Sequence, residues 1–317
     1  MQGVQKIPTV DLNDFISGDP VRKAKFVQDI GEAYEKIGFV ALSGHFLSDA
    51  LVDKLYGQVR AFFDLPTDIK AKYEILGISG QRGLTSFGKE HAKGSDVPDL
   101  KEFWHLGQQL NEGSKYKGVY PDNVEVTELP EFDKIGVEAY QMLQKTGVYV
   151  LRALALFIGI DEFYFDGYIA EGNSILRSIY YPAISEDPKN AVRAGAHTDI
   201  NLITLLMGAQ GRGLQVMNHA GEWIDAIAEP DELMINVGDM LSRHTNNRLV
   251  STRHRVINPE KENWDKPRYS IPFFMHPVSD MKLNCLTNCI DDNNPKNHED
   301  ITAGDFLNQR LREIGLG

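Results

Sequence analysis

Apolar residues recur along this chain in two rhythms, a helical one in the first half and a strand-like alternation in the second. Asp19-Pro20 supplies an N-cap followed by proline at the first helical position. Phe26, Ile30, Ala33, Tyr34 and Ile37 then follow at helical spacing until Gly38 closes the helix. Ser48 caps a second helix with a stripe of Leu51, Leu55, Val59 and Phe62. Ile7-Pro8-Thr9-Val10-Asp11-Leu12 reads as a short edge strand, because Pro8 cannot donate to a ladder, and Phe39-Val40-Ala41-Leu42 reads as another. Residues 77–99 are glycine-rich and polar, with Phe87 isolated among them, and predict a long loop of the functional or mobile kind. Leu129 to Ile160 predicts helix; its most apolar part, from Val148, carries Arg152 and is too short to span a bilayer.

From Ile175 the period shortens to two. Leu233, Ile235 and Val237 alternate with Met234 and Asn236, and Asn246-Asn247 marks a turn. Residues 175–286 therefore predict a compact antiparallel β structure of barrel or jelly-roll type. A polar stretch over 288–300 leads into an amphipathic C-terminal helix with Phe306, Leu307, Leu311 and Ile314. The expected class is mainly β with flanking helices. Its parts are a mixed α/β N-terminal section over 1–99 that is not independent, a β core with a helical insertion over 100–290, and a C-terminal helix over 291–317.

Composition narrows what such a chain does. At 317 residues and 42% hydrophobic it can bury a substantial core. A formal charge of −12, with lysine and arginine scattered, argues against a nucleic-acid or anionic-membrane surface. Met1-Gln2-Gly3-Val4-Gln5-Lys6 lacks the apolar core of a secretory signal, and Cys285 and Cys289 are too few for a disulfide framework. The expectation is a cytoplasmic protein with no membrane or nucleic-acid partner.

Two short stretches carry the chemistry, Ala196-His197-Thr198-Asp199 and Thr252-Arg253-His254-Arg255-Val256. Residues two apart on a strand share a face, so His197 and Asp199 converge if the extended backbone persists through Thr198. The same rule puts His254 on the face of Val250 and Val256, with Arg253 and Arg255 opposite. A single inward histidine is more often a hydrogen-bonded core residue than a ligand; the combination of His-x-Asp with a distant inward histidine reverses that balance. The 54 intervening residues let the third ligand arrive on an opposing strand. Two imidazoles and a carboxylate suit a divalent first-row metal and leave positions open for oxygen chemistry. Zinc hydrolysis uses a similar set, but no His-Glu-x-x-His occurs here. Fourteen residues beyond His254, Arg268 and Ser270 share a strand face, where a guanidinium fork and a hydroxyl suit a carboxylate. A surface salt bridge is the plainer alternative for Arg-x-Ser alone; its position after His254 favours the carboxylate site.

In this order, His197-Thr198-Asp199, Leu202-Ile203-Thr204-Leu205-Leu206, Gly213-Leu214-Gln215-Val216, Asn236-Val237-Gly238-Asp239, His254-Arg255-Val256 and Arg268-x-Ser270 resemble the isopenicillin N synthase-like Fe(II)/2-oxoglutarate oxygenases. Ile7 to Leu12, Gly38-Phe39-Val40, Phe63-Asp64-Leu65-Pro66 and Asp99-Leu100-Lys101-Glu102-Phe103 are similar to that family's opening, and Arg193 to Asp199 is most similar to its bacterial members. The resemblance covers nearly the whole chain. It implies a double-stranded β-helix holding Fe(II) through His197, Asp199 and His254. 2-Oxoglutarate would lie on the metal with its far carboxylate on Arg268 and Ser270, and Tyr181 would be an extra donor. With O2 it would be converted to succinate and CO2 while an unactivated C–H bond of a small molecule is oxidised, most often to an alcohol. Plain packing beside Pro182 is the other reading of Tyr181. Some relatives keep Arg-x-Ser without using 2-oxoglutarate, so a 2-oxoglutarate-independent iron oxidase stands as an alternative beside the zinc hydrolase. The substrate, carboxylate-bearing or amino-acid-like, would meet walls drawn from the 77–99 loop with Phe87, from Phe103, Trp104 and Arg177, and from the C-terminal helix. Phe103 and Trp104 are more often core than pocket, and solvated or structural salt bridges are the commoner roles for Arg177 and Arg193. That helix could cover the barrel mouth or pack on a second subunit, so a monomer and a homodimer are both compatible with the sequence.

Overall fold

The computed structural model describes residues 6–90, 99–189, 191–208 and 213–313. Of the expectations above, those on residues 1–5, on 91–98 of the long loop and on Ile314 lie outside the described residues. In chain order the elements are β1 (Thr9–Asp11), α1 (Leu12–Ile16), α2 (Pro20–Lys36), β2 (Phe39–Ser43), α3 (Asp49–Phe63), α4 (Thr67–Ala71), β3 (Gly83–Thr85), β4 (Glu102–Gly107), α5 (Pro130–Ile158) and α6 (Asp166–Ile169). There follow β5 (Ile175–Tyr181), β6 (Ala194–His197), β7 (Ile203–Met207), β8 (Leu214–Met217), β9 (Trp223–Asp225), β10 (Leu233–Val237), α7 (Asp239–His244), β11 (His254–Val256), β12 (Arg268–Met275) and α8 (Ala303–Glu313).

Local chemistry sets the helix ends. The Asp19 carboxylate accepts from the Val21 and Arg22 amides at 2.8 and 3.3 Å, and Pro20 begins α2. Gly38 ends it at φ +71, with the Val250 carbonyl so close that any Cβ would collide. Helix α5 starts at Pro130 and stops at the left-handed Gly159.

The strands form an eight-stranded sheet ordered β1-β2-β10-β7-β12-β5-β4-β3 and a four-stranded sheet ordered β6-β11-β8-β9. Together they are the two walls of a double-stranded β-helix, with helices on the outer face of the larger sheet. Strand β2 runs parallel to β1 and antiparallel to β10, so the N-terminal section contributes directly to the larger sheet. Strand alternation sorts the side chains. Val40, Leu42, Leu233, Ile235, Val237, Ile271, Phe273 and Met275 pack outward against the helices in the main core. Phe39, Ala41 and Met234 pack inward with Leu214, Val216 and Val256 of the smaller sheet. Helix α5 lies so close that a Cβ on Gly147 would sit 2.5 Å from Met275 Sδ and oblige that side chain to shift.

Two sequence expectations need correction. The 175–286 section is not all β, because α7 interrupts it and the last of its strands ends at Met275. The long loop contains β3, which pairs with β4 through Leu84 and Trp104. Trp104 itself faces away from the barrel interior: its ring packs 4.8 Å from Phe62 and 5.4 Å from Phe132 in the main core. No described helix is long and apolar enough to cross a membrane.

Candidate active site

The inward face left between the two sheets is not filled. Side chains of β4, β5, β6, β7, β10, β11 and β12, with Leu307, Arg310 and Leu311 of α8, enclose a cavity of about 650 Å³. Strand β6 stops at His197, and Thr198 and Asp199 continue beyond its end. His254 of β11 pairs directly across from His197, which brings the imidazoles to 4.4 Å between ring centroids. Asp199 Oδ1 lies 3.8 Å from His197 Nε2 and 3.7 Å from His254 Nε2. The three ligand atoms lie within 4.8 Å of one another, a spacing one divalent ion can bridge.

Every other polar atom of this trio has a partner. His197 Nδ1 lies 2.7 Å from the Gly195 carbonyl and His254 Nδ1 3.1 Å from that of Thr252, so both protons sit on Nδ1 and both Nε2 atoms carry free lone pairs. Asp199 Oδ2 accepts from Thr204 Oγ1 at 2.6 Å and from Asn236 Nδ2 at 2.7 Å, which reserves Oδ1. The Asp199 carbonyl accepts from the Asp239 amide at 2.7 Å, and Asp239 in turn accepts from Thr198 and Ser251 and pairs with Arg310 of α8 at 3.0 Å. Burial, then the second imidazole, lowers His197 to about 4. Burial works against the Asp199 charge, but the two imidazoles and the Asn236 and Thr204 donors hold its carboxyl below the usual range. Metal binding requires an ionised carboxylate and a bare Nε2 lone pair on each ring.

A second corner is rich in cations. Arg268 of β12 stands opposite Tyr181 of β5 in the register, with its guanidinium 5.3 Å from the Tyr181 ring. Ser270, the next inward residue, lines the cavity with Tyr181. Arg193 reaches the same ring at 5.9 Å. Among the described residues neither arginine pairs with a carboxylate: Arg193 donates to the Lys266 carbonyl at 3.1 Å and Arg268 to that of Gly208 at 3.4 Å. Arg268 Nη1, Arg193 Nε and the Tyr56 hydroxyl are buried without partners among the described residues. Burial, then the like charge of Arg268, pushes Arg193 down to about 10, and burial pushes the Tyr56 hydroxyl up to about 12. Buried donors of one charge sign with nothing to bind describe an anion site.

The cavity wall on β4 and β5 is different again. Arg177 is held between the rings of Phe103 and Phe274, at 4.0 and 5.1 Å, and donates to His105 Nε2 at 2.6 Å. Its Nη1 lies 3.2 Å from Glu90 Oε1, which also takes Lys101 at 2.7 Å. Asp99 completes the cluster, 2.9 Å from Lys101 and bonded to the Gly195 amide of the metal strand.

The structure thus brings His197, Asp199 and His254 together, and sets Arg268, Ser270 and Tyr181 around one corner. Of the four residues suggested for the substrate, Arg177 lines the cavity and Phe103 backs it. Trp104 lies in the core, and Phe87 is half-exposed and outside the lining. Sequence reasoning missed Glu90, His105, His276, Tyr56 and the Thr204–Asn236 clamp. The signal available for that wall was Lys101 and His105, which flank Phe103 at alternate positions and so share its side of the strand.

Comparison with known proteins places these features among relatives. A pattern described as "non-haem dioxygenase in morphine synthesis N-terminal" matches residues 7–128, and the 2OG-Fe(II) oxygenase superfamily pattern matches residues 172–277. A 2-oxoglutarate-Fe(II) type oxidoreductase of Emericella nidulans is 30% identical over 310 residues, covering 95% of this chain and 88% of that protein. The crystal structure of a 2OG-Fe(II) oxygenase family protein from Caulobacter crescentus superposes with a TM-score of 0.89 at 41% identity, covering 98% and 100% of the two chains. A full-length Neurospora crassa protein, crystallised with alpha-KG and thymine, gives a TM-score of 0.84 at 29% identity and covers 96% of each chain.

Proposed function

This chain belongs to the 2OG-Fe(II) oxygenase superfamily, and from that premise we propose which of its residues bind metal, cosubstrate and substrate. The protein is an Fe(II)- and 2-oxoglutarate-dependent dioxygenase. Bound Fe(II) supplies the oxygen activation that couples decarboxylation of 2-oxoglutarate, to succinate and CO2, with oxidation of a substrate C–H bond.

His197, Asp199 and His254 hold the metal. Their donor set fits it: two bare Nε2 lone pairs, one reserved carboxylate oxygen, and backbone and side-chain bonds that fix each ring and the carboxylate before any ion arrives. Arg268, Ser270 and Tyr181 take the far carboxylate of 2-oxoglutarate, with Arg193 and Tyr56 beside them. The observation that carries this assignment is the set of buried donors at that corner with no partner among the described residues, since a guanidinium without a counter-charge is costly to bury. It also favours a carboxylate cosubstrate over a hydrolase, which needs no such corner. Helix α8 closes the mouth with Leu307 and Leu311 and is tied to the metal strand through Arg310 and Asp239, which helps exclude water.

The substrate is a small molecule that enters over the Arg177 wall, carboxylate-bearing or amino-acid-like. The N-terminal 99 residues act as part of the same folding unit, because β2 is paired inside the larger sheet. The test is direct. Purified protein with Fe(II) and 2-oxoglutarate releases succinate slowly without substrate, and His197→Ala abolishes it. An iron-loaded protein that forms no succinate under any condition overturns the reading.

A further inference from the structure

The substrate wall is electrically balanced but not chemically finished. Lys101 and Arg177 are matched by Glu90 and Asp99, so the cluster carries no net charge. Burial works against the Glu90 charge, yet Arg177 and Lys101 outweigh it and keep the carboxyl ionised. Both of those cations, however, bond to the same oxygen, Oε1. Glu90 Oε2 is buried with no partner among the described residues, on a side chain only 10% exposed. An ionised carboxylate oxygen stripped of water and left unbonded is unfavourable.

A second buried acceptor lines the same cavity. His276 follows β12 in the inward series Ser270, Pro272, Phe274, and the residue is 6% exposed. Its Nδ1 lies 3.2 Å from the Phe274 carbonyl, which places the proton there. Burial holds the ring at about 4, so it is neutral and Nε2 presents a lone pair with no donor on it among the described residues. Arg177, whose charge acts on both groups, spends Nε and Nη1 within the wall, and Nη2, which bonds to none of the described residues, is a further donor. The wall therefore offers two acceptors that need protons and one donor edge.

We infer that the substrate presents an N–H group, an amine, amidine or cyclic amide, to Glu90 Oε2 and His276 Nε2, while a carboxylate or carbonyl of the same molecule meets Arg177. This rests on the oxygenase reading above and selects the amino-acid-like alternative over a simple carboxylate. A carboxylate alone would satisfy Arg177 and leave both acceptors dry and unbonded. A positively charged or N–H-bearing head satisfies Glu90 without disturbing its two ion pairs.

The test uses the full chain loaded with Fe(II) and 2-oxoglutarate, and matched probes differing only in N–H. The pairs are L-proline with N-acetyl-L-proline, glycine with N,N,N-trimethylglycine, and uracil with 1,3-dimethyluracil. Succinate release and perturbation of the anaerobic Fe(II)–2-oxoglutarate absorption band are read for each. At least one N–H member stimulates release and perturbs the band, and its methylated or acylated twin does neither. For that compound Glu90→Gln and His276→Phe each raise KM about 10-fold or more and compress the discrimination between the twins, while anaerobic 2-oxoglutarate affinity stays within about threefold. The inference is overturned if N–H-free twins act equally well, if both variants keep the discrimination, or if no N–H probe binds or stimulates. Substrate-free succinate formation separates the two failures: its presence with silent N–H probes sinks this inference alone, whereas its absence sinks the oxygenase reading.

Discussion

The proposed metal corner lines the cavity, the proposed anion corner adjoins it through Ser270 and Tyr181, and the two are built on opposite plans. Around His197, Asp199 and His254, each polar atom that does not face the ion is already bonded, to Gly195, Thr252, Thr204 or Asn236. Around Tyr181, the Arg268 Nη1, Arg193 Nε and Tyr56 hydroxyl atoms are buried without partners among the described residues. A fully bonded frame fixes geometry before binding, which suits an ion that tolerates little error in ligand placement. An unsatisfied corner stores an electrostatic cost that only an anion relieves, which suits a cosubstrate that must enter and leave at every turnover.

The comparison predicts different kinds of damage. Asp199→Ala should be the most severe change, abolishing turnover and weakening Fe(II) or Mn(II) binding by more than about 100-fold, as read by anaerobic metal titration. A variant that binds metal normally would show that the ion sits elsewhere. In the arginine corner the metal should be untouched and 2-oxoglutarate affected: Arg268→Met weakens its binding about 100-fold and Arg193→Met about 10-fold in the same anaerobic format. Equal loss at both sites would make the two guanidiniums equivalent; no loss at Arg193 would confine the site to Arg268.

Loosening the frame without removing a ligand gives a smaller effect. Thr204→Val or Asn236→Ala frees Asp199 Oδ2 and should cost about 10-fold in metal affinity while leaving 2-oxoglutarate affinity in metal-saturated protein unchanged. The smallest change is expected at the lid. Arg310→Met breaks a partly exposed pair with Asp239, so substrate KM should rise only about two- to fivefold, with faster amide exchange confined to α8. Exchange that accelerates across the barrel as well would mean the pair supports the fold rather than the mouth.

Strand parity made much of this visible in the sequence. His254 could be assigned inward because the rule of two separated it from Arg253 and Arg255, and Arg268 with Ser270 followed from the same rule. Parity applied to β4 also separates Phe103 from Trp104, yet nothing in the chain says which of those faces looks inward until β4 is placed beside β5. Glu90 was hidden for a related reason: it lies outside any strand and acquires meaning only through Arg177, 87 residues away. Helix α7 was missed because Asp239 to His244 is short, and its start is tied to backbone groups of Asp199, Ile200 and Asn201 rather than to an apolar stripe of its own.

Strand β12 has a consequence for inhibitor design. It carries Ser270 at the proposed cosubstrate end and Phe274, behind Arg177, at the proposed substrate end, both on one inward face. Four residues of extended chain separate them by about 13 Å, and the strand is clamped on both sides by β5 and β7. The strand is therefore a fixed ruler shared by two occupants. A 2-oxoglutarate mimic extended beyond that length toward Phe274 should reach Arg177 and exclude substrate. Its potency should then depend on how long the substrate is.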